Sequence, residues 1–252
     1  MKILISGILG HMGREVLALC NSGYRGAELF GGVDPNADGT DPKVFTSFDS
    51  IPNPDEIDCI VDFSHHTAVV DLLSFAKSHG IATVVATTGH TDEELMAIQS
   101  AAEEIPVFFS GNMSLGIALL IELAKITALS MPEAEIEIIE SHHNRKLDAP
   151  SGTALMLANA ITEVKPDSYT NLGRSGQGKR TPSEIGIHSV RMGNIVGIHE
   201  VIVGTRNQTI TLKHEAHDRA LFAEGALAAA AFLVTVGKGL YDMKSLVSET
   251  KA

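Results

Sequence analysis

Short apolar runs alternate with helical patterns through the first half of the chain. Runs rich in β-branched residues fall at 3–6, 28–33, 59–63, 83–86 and 107–109, and helical patterns fall at 12–20, 67–78 and 92–103. The last of these helices has a marked beginning, because Thr91 can cap it and Glu94 follows three residues later. Repeated pairs of strand and helix patterns predict βαβ units, and therefore a parallel sheet covered by helices.

The pattern changes after a helix predicted at 115–129. An alternating strand at 135–141 precedes a polar loop, and Ser151, Gly152 and Thr153 begin another helix. A loop rich in Gly, Ser and Arg at 173–180 is followed by strand-like runs at 186–191, 197–203 and 208–213, and then by a helical stretch at 219–237.

Two domains account for this change. We predict a Rossmann-type α/β domain with a parallel sheet, built from residues 1–112 and about 219–252. Residues from about 113 to 218 are predicted to form a second, smaller α+β domain. A chain of 252 residues exceeds the roughly 100–150 residues of most single domains, which favours this division.

Charge and cysteine usage narrow the class of protein. The 31 acidic and 19 basic side chains give a formal net charge of −12, which repels nucleic acids and anionic membrane surfaces. Cys20 and Cys59 lie in apolar stretches without metal-ligand spacing, so we expect buried, reduced thiols in a cytoplasmic protein. The apolar runs at the N-terminus and at 225–236 are too short for a secretory signal and for a membrane span. A small-molecule enzyme is the expected class, with neither nucleic acid nor membrane as partner.

A glycine-rich loop follows the first strand and begins a helix. Gly7, Gly10 and Gly13 form a GxxGxxG pattern, in which backbone N–H groups can approach a pyrophosphate at the helix N-terminus. Asp34 follows the second strand 21 residues after Gly13, where an acidic side chain accepts hydrogen bonds from an adenosine ribose. Either feature alone also fits an ordinary turn, but together they favour dinucleotide binding.

A cluster of basic side chains stands out in the acidic chain. His142, His143, Arg145 and Lys146 lie within five residues, directly before the helix that begins at Ser151. Such a cluster can hold a dianion and supply protons near neutral pH, and the free N–H groups of the helix entry can bind a carboxylate. A solvated basic loop is the alternative. A zinc site is not expected, because adjacent histidines do not easily share one metal and no cysteine is near.

The segment HHNRKLDAPSGTA resembles the HHxxKxDxPSGTA signature of the 4-hydroxy-tetrahydrodipicolinate reductases. The resemblance extends along the chain, because GxxGxMG, VDFSHH, ATTGH, GNMSLG, SVRMGNIVG and HEAHDRALFAEGA occur in the order typical of that family. It implies a cytoplasmic, NADH- or NADPH-dependent reductase of lysine and diaminopimelate biosynthesis. The implied substrate is a cyclic dicarboxylate, and the implied assembly is a homotetramer. The resemblance assigns substrate binding and oligomerisation to the second domain, at about 113–218.

The resemblance also implies roles for single residues. His142 is similar to the family's proton-transferring histidine, and Lys146 to its second acid, while His143, Gly152 and Thr153 match contacts to the substrate carboxylates. No metal site is implied. The implied cofactor contacts are Gly7, Ile8, Leu9, Gly10, His11, Met12, Asp34, Ala86, Thr87, Thr88, Ser110, Gly111, Asn112 and Met113.

Three departures from the family pattern carry expectations of their own. Ala86 and Met192 stand where glycine is usual, so we expect strain or an altered loop at Ala86. The basic residue usual beside the ribose acid is missing, since Pro35 and Asn36 follow Asp34. We therefore expect NADH to be used at least as well as NADPH.

Other histidines are expected to be structural. We expect His65 and His66 to cap a helix or lie on the surface, and His188 and His199 to be satisfied by hydrogen bonds. Two other functions remain open: another nicotinamide enzyme, such as an aspartate dehydrogenase or an aldehyde reductase, and a dinucleotide sensor without turnover. A catalytic cysteine would favour an aldehyde reductase, and the basic loop disfavours a sensor.

Overall fold

The computed structural model describes residues 1–249 and divides them into two compact units. One unit comprises Met1–Ser114 and the chain from Arg219 onward, and the other comprises Leu115–Asp218. The division predicted from the sequence falls after residue 112 and after about residue 218, within two residues of these bounds. Within residues 1–249, no helix is both long enough and apolar enough to cross a lipid bilayer.

Twelve strands and seven α-helices make up the described part of the chain. The strands are β1 (Lys2–Ser6), β2 (Glu28–Val33), β3 (Val44–Phe45), β4 (Cys59–Asp62), β5 (Ala82–Val85), β6 (Pro106–Phe109), β7 (Glu135–His142), β8 (Tyr169–Leu172), β9 (Glu184–Arg191), β10 (Gly197–Gly204), β11 (Thr209–Ala216) and β12 (Gly239–Tyr241). The helices are α1 (His11–Asn21), α2 (Val69–His79), α3 (Asp92–Ala101), α4 (Leu115–Ser130), α5 (Gly152–Val164), α6 (Ala220–Leu233) and α7 (Met243–Glu249).

The first unit is built on a seven-stranded sheet in the order β12-β6-β5-β4-β1-β2-β3, in which every pair is parallel. Every residue of β4 and β5 is buried, because helices cover both faces of a parallel sheet. From β3 to β6 the order is the doubly wound order of the Rossmann fold, which confirms the predicted fold class. In this fold ligands bind at the carboxyl ends of the strands, where the strand order reverses beside β1.

The second unit contains a five-stranded mixed sheet in the order β11-β10-β7-β9-β8. β10 is antiparallel to β7 and β11, whereas β7 and β8 are both parallel to β9. Alternate residues of β7 enter an apolar core together with α4 and α5, and its fully buried side chains include Ile138, Leu157 and Val201. β11 and β8 are the sheet edges.

Three strands were not predicted, and one predicted helix is too long. β3, β8 and β12 have two to four residues, so their side chains do not show a period from which a strand could be recognised. The helix predicted at 219–237 ends at Leu233, and β12 follows at Gly239–Tyr241. These short strands form because a neighbouring strand offers its unpaired backbone groups, which is not visible in local sequence.

Gly225 provides a test of packing in the first unit. A methyl group added at Gly225 on α6 would lie 1.7 Å from the carbonyl oxygen of Met113, so we expect Gly225→Ala to reduce the free energy of unfolding by about 1–3 kcal/mol. Helix propensity alone predicts the opposite sign, a gain of about 1 kcal/mol. Urea unfolding followed by circular dichroism measures the change. Gly237→Ala is the control, since a methyl group there meets no atom within 4 Å. Equal stability of the two variants would contradict this description of α6.

Candidate active site

The predicted cofactor residues lie at the carboxyl edge of the parallel sheet. Gly7 follows β1, Asp34 follows β2, Ala86 follows β5 and Ser110 follows β6. Adjacent parallel strands end at the same edge, so the topology brings these four loops together. Gly111 shows the proximity of the last two, because a Cβ atom placed on it would lie 4.0 Å from Cγ2 of Thr88.

The glycine loop after β1 is closely packed. Gly7 has a φ of 80°, a left-handed conformation that favours glycine, and its N–H donates to the carbonyl oxygen of Val33 at 2.8 Å. A Cβ atom on Gly13 would lie 2.1 Å from the carbonyl oxygen of Gly7, so glycine is required there as well. Gly10 occupies the N-cap position of α1. Because glycine has no side chain, it provides no hydrogen-bond acceptor for the first N–H groups of the helix. Such a helix entry suits a phosphate group.

The side chains of this loop differ in exposure. Ile8 is 3% exposed and packs onto Gly32, so only its backbone is available to a ligand. Leu9, Gly10 and His11 are exposed, and Met12 is half-buried.

Asp34 is buried, and its carboxylate accepts three hydrogen bonds within the protein. Its Oδ2 atom accepts from the N–H of Leu9 at 3.2 Å, which joins the end of β2 to the glycine loop. Its Oδ1 atom accepts from the backbone N–H of Asn36 at 3.0 Å and from the side-chain amide at 3.1 Å. A carboxylate has about four acceptor positions, so one remains for a further donor. Beside it, Val33 and Pro35 line a cavity of about 730 Å³ that also contacts Phe48 and Phe75.

The loop after β5 does not show the strain expected at Ala86. Among residues 1–249, the only residues other than glycine with positive φ are Arg25 and Asn53, and Gly89 takes the left-handed conformation in this loop. Thr87 donates to Oδ2 of the fully buried Asp62 at 2.7 Å, which holds the loop to the end of β4. Residues 86–88 line a second cavity, of about 260 Å³, together with residues 63–66.

The loop after β6 is ordered by its own polar side chains. Ser110 donates its hydroxyl to the carbonyl oxygen of Asn112 at 2.8 Å, and the amide oxygen of Asn112 accepts from the N–H of Ser114 at 2.9 Å. Met113 is 2% exposed and belongs to the core.

His142 occupies the end of β7 in the second unit. Its Nδ1 atom lies 2.5 Å from Oε2 of Glu140, which is fully buried. Arg191 on β9 donates to both oxygens of Glu140, at 2.8 and 2.6 Å, and the N–H of Ser151 donates to Oε1 at 3.1 Å. A single carboxylate therefore connects the histidine, an arginine and the beginning of α5.

These contacts shift the pKa values of the groups in opposite directions. Burial by itself raises the pKa of Glu140, but hydrogen bonds from Arg191, Ser189, His142 and the N–H of Ser151 lower it to about 2. Burial lowers the pKa of His142, and the charges of Lys146 and Arg191 act in the same direction, whereas Glu140 raises it. At neutral pH the first group is a carboxylate and the second is mainly a neutral imidazole.

His199 packs against His142, with their rings 5.1 Å apart and nearly perpendicular. Its Nε2 atom lies 3.1 Å from the hydroxyl of Ser151, which also accepts from the N–H of Ala154 as the cap of α5. Burial lowers the pKa of His199 to about 4, and the charge of His142 contributes. The prediction that hydrogen bonds satisfy His199 holds for Nε2 alone, because Nδ1 is buried without a hydrogen-bond partner among residues 1–249, and the position of His199 inside the cluster was not predicted.

The other predicted residues of the basic loop lie around this core. His143 donates its backbone N–H to the carbonyl oxygen of Ile195 at 2.8 Å, and Lys146 forms an ion pair with Asp148 at 2.8 Å. Gly152 and Thr153 form the first turn of α5, where Gly152 is exposed and Thr153 half-buried. The structure thus brings all five predicted catalytic and substrate-binding residues into one region of the second unit.

The histidines expected to be structural have structural partners. His65 caps the turn before α2 by accepting from the N–H of Thr67, and His66 pairs with Glu94 at 2.9 Å. His188 lies 3.0 Å from Glu137. Within residues 1–249, no three or more His, Cys, Asp or Glu side chains are grouped so that they could hold a metal ion.

Glu140 is a residue of the site for which the sequence predicted no role. Its signal is the alternation of β7, in which Ile136 and Ile138 are buried and the next inward position carries a carboxylate. A charged residue in the buried row of a strand requires partners, and that requirement points to Arg191 and His142.

Comparison with known proteins covers both units. The family models for the N-terminus and the C-terminus of dihydrodipicolinate reductase match residues 1–113 and 116–247. A protein of Caldanaerobacter subterraneus named 4-hydroxy-tetrahydrodipicolinate reductase is 43% identical over 99% of both chains. A protein of Clostridium novyi with the same name is 41% identical over 98% of both chains.

Solved structures agree with this similarity. Dipicolinate-bound dihydrodipicolinate reductase from Paenisporosarcina sp. TG-14 is 27% identical, with a TM-score of 0.81 over 96% of this chain and 97% of that chain. Aspartate dehydrogenase from Thermotoga maritima is 14% identical, with a TM-score of 0.51 over 92% of this chain and 96% of that chain. The second likeness concerns the fold alone.

The pKa of Glu140 predicts a pH dependence of stability. The pKa of Glu140 is 4.5 for an ordinary glutamate, as in the unfolded chain, and about 2 in the folded chain. The ionised carboxylate therefore contributes to the free energy of unfolding, fully above pH 4.5 and progressively less as the pH falls toward 2. At 1.36 kcal/mol per pKa unit, this contribution is about 3 kcal/mol. We therefore expect the stability difference between the wild type and Glu140→Gln to narrow by about that amount over this range.

Urea unfolding of both proteins at several pH values measures this difference, because the other carboxylates are common to both and cancel. A difference that does not change with pH would contradict the proposed network around Glu140.

Proposed function

The chain belongs to the dihydrodipicolinate reductase family, and we propose that it reduces 4-hydroxy-tetrahydrodipicolinate to tetrahydrodipicolinate and water with NADH or NADPH, in lysine biosynthesis through diaminopimelate. The observation that carries the proposal is the position of His142. One ring nitrogen is held by a buried carboxylate, and the ring lies close to a helix entry that suits a carboxylate ligand.

The first unit fits a dinucleotide. A Cβ atom at Gly7 or Gly13 would collide with neighbouring backbone atoms, so glycine at these positions allows the tight turn into α1, whose uncapped entry supplies N–H donors for a pyrophosphate. We assign the ribose to Asp34 and the adenine to the cavity beside Val33 and Pro35. When bound, the nicotinamide supplies a hydride, and we assign it to the loops at Ala86–Thr88 and Ser110–Met113.

The second unit supplies charge and a proton. The substrate is a cyclic dicarboxylate, and we assign its carboxylates to His143, Gly152 and Thr153 at the entry of α5. Two carboxylates close to His142 raise its pKa, so substrate binding favours the protonated imidazole needed to protonate ring C3. Reduction adds hydride at C4 after loss of water, and the enamine-like anion that results takes this proton.

Lys146 is the second proposed acid. Its ion pair with Asp148 is partly exposed, so the pair is weakly held and its ammonium group can turn to an anionic ligand. It also adds a positive charge beside His142.

The other two functions have less support. The likeness to aspartate dehydrogenase is limited to the fold, at 14% identity. Both cysteines are buried, and burial raises the pKa of Cys20 to about 11 and that of Cys59 further, so neither is an activated thiol. A sensor has no use for a proton carrier. We infer a cytoplasmic enzyme from these reduced thiols and the biosynthetic reaction.

The proposed function gives three predictions, and the first concerns the roles of His142 and Lys146 in turnover. Proton transfer by a positioned side chain contributes about 10²–10⁴-fold, so His142→Gln is expected to lower kcat at least about a hundredfold with little change in the affinity for pyridine-2,6-dicarboxylate. Lys146→Ala is expected to damage turnover strongly as well. Steady-state kinetics and inhibitor titration measure both effects.

His188→Gln is the matched control, because His188 also pairs with a glutamate and lies on the neighbouring strand β9. More than about a third of wild-type kcat in His142→Gln would reject the role of His142. If the replacement raised KM alone, and by more at higher salt, the basic loop would serve only to attract the anionic substrate by its charge.

The second prediction concerns cofactor preference. We expect NADH to be used at least as well as NADPH, because Asp34 repels a 2′-phosphate and Pro35 and Asn36 add no cation. Asp34→Asn is expected to shift kcat/KM toward NADPH, whereas Asp38→Asn in the same loop is a control. A tenfold preference of the wild type for NADPH, equal to about 1.4 kcal/mol, would overturn this assignment.

The third prediction concerns assembly. We propose a homotetramer built through the sheets of the second unit, whose edge strand β11 exposes backbone groups that need protection. Light scattering across micromolar concentrations is expected to give a mass larger than a dimer. A monomer throughout that range would contradict the proposal.

A further inference from the structure

Glu140 interrupts a row of apolar side chains. Ile136 and Ile138 on β7 are 2% and 0% exposed, and Glu140 occupies the next inward position with 0% exposure. An aliphatic residue there would extend the core without a desolvation cost. Burying a charged carboxylate is costly unless every lone pair finds a donor, so this residue type requires an explanation beyond packing.

The carboxylate is fully used. Oε1 accepts from Nη2 of Arg191 and the N–H of Ser151, and Oε2 accepts from Nη1 of Arg191 and Nδ1 of His142. Together with the hydrogen bond from Ser189, these donors fill the acceptor positions of the group. Only two of these hydrogen bonds come from the arginine, so the ion pair with Arg191 accounts for less than half of the site.

The bond to His142 determines which ring nitrogen is available. An ionised carboxylate only accepts hydrogen bonds, so Nδ1 of His142 carries hydrogen and Nε2 is the nitrogen that exchanges a proton. Gly197 at the start of β10 leaves room there, because a Cβ atom on it would lie 3.2 Å from Nε2. Its charged and titratable neighbours are Glu140 on its own strand, Arg191 on β9, His199 on β10 and Lys146 in the loop.

The bond to Ser151 connects the same carboxylate to α5. The Ser151 N–H donates to Glu140 while its hydroxyl caps the helix and contacts His199. The orientation of the His142 ring and the position of the α5 entry therefore depend on one group.

We propose that Glu140 is a positioning residue for the reaction: it presents Nε2 of His142 as the proton-exchanging atom and keeps that atom in register with the carboxylate-binding entry of α5. This inference rests on the proposed function, because it gives Glu140 a role only through His142.

A second glutamate on β7 provides a matched control. Glu137 lies 2.8 Å from Arg180 and 3.0 Å from His188, so it repeats the combination of glutamate, arginine and histidine. It is three residues from Glu140 and therefore points to the opposite face of the sheet, where it is partly exposed. Glu137→Gln removes the same charge from the same strand without touching His142.

The test compares Glu140→Gln and Glu137→Gln by kcat and by the pH profile of kcat/KM. Loss of the Glu140 charge lowers the pKa of His142, so the alkaline limb is expected to move to lower pH by about one unit or more. We also expect kcat to fall about tenfold or more in Glu140→Gln and to stay within about twofold in Glu137→Gln. A purely structural role would leave the alkaline limb in place, and that result would overturn the proposal.

A double-mutant cycle separates this inference from the proposed function. If Glu140 acts through His142, Glu140→Gln has no further effect on kcat in a His142→Gln background. If the two losses multiply, Glu140 acts independently and the positioning role is wrong. If His142→Gln alone keeps most of the activity, the proton-transfer role of His142 is wrong, and with it the premise.

Folding of the variant is also controlled. A glutamine at position 140 leaves the Arg191 guanidinium without its anion, which destabilises a buried site. If Glu140→Gln cannot be purified, the pair Glu140→Gln and Arg191→Met removes both charges, and the same cycle is measured in that background. A loss of kcat that disappears in the His142→Gln background supports the proposal, and a loss that persists overturns it.

Discussion

The second unit depends on one buried carboxylate that has a donor for every lone pair. Glu140 takes an inward position of β7, and the cost of its burial is offset by Arg191, His142 and the N–H of Ser151. Because these partners come from β9, the end of β7 and the start of α5, the requirement for a donor at every lone pair determines how three segments meet. The chemistry of the basic loop follows from that geometry.

In the first unit, contacts between backbone atoms bring several loops together. The loops that follow β1, β2, β5 and β6 meet because parallel strands end at one edge, and the glycine at position 13 allows α1 to approach the carbonyl oxygen of Gly7. Asp34 then joins the second loop to the first through the N–H of Leu9. The candidate sites of the two units therefore differ in the groups that form them. In the first unit these are backbone groups at the ends of strands and helices, and in the second they are charged side chains in a hydrogen-bonded network.

Sequence analysis predicted those parts of the molecule whose signal is local. The long strands and helices repeat over several turns or alternations, and the Rossmann fold was predicted from these repeats. The basic loop was predicted from its cluster of His, Arg and Lys side chains in an acidic chain. β3, β8 and β12 could not, because two to four residues have no period and their pairing is decided by distant neighbours. Strain at Ala86 was expected from residue type, but Gly89 takes the left-handed conformation instead. Glu140 and His199 needed the structure, since burial and partners on other strands give them their significance.

The position of α6 has a consequence for how the chain is made. α6 packs against β4, β5, β6 and α1, and its Gly225 lies against the carbonyl oxygen of Met113, although between about 110 and 200 residues separate it from these elements. On the ribosome, strands β1 to β6 of the parallel sheet emerge first, but they remain uncovered on the side of α6, and β12 follows only after that helix. The second unit is contiguous, from Leu115 to Asp218, and can close its own sheet before α6 is synthesised. The first unit is thus the first to be synthesised but the last to complete its fold, because its sheet stays exposed to water until α6 packs against it.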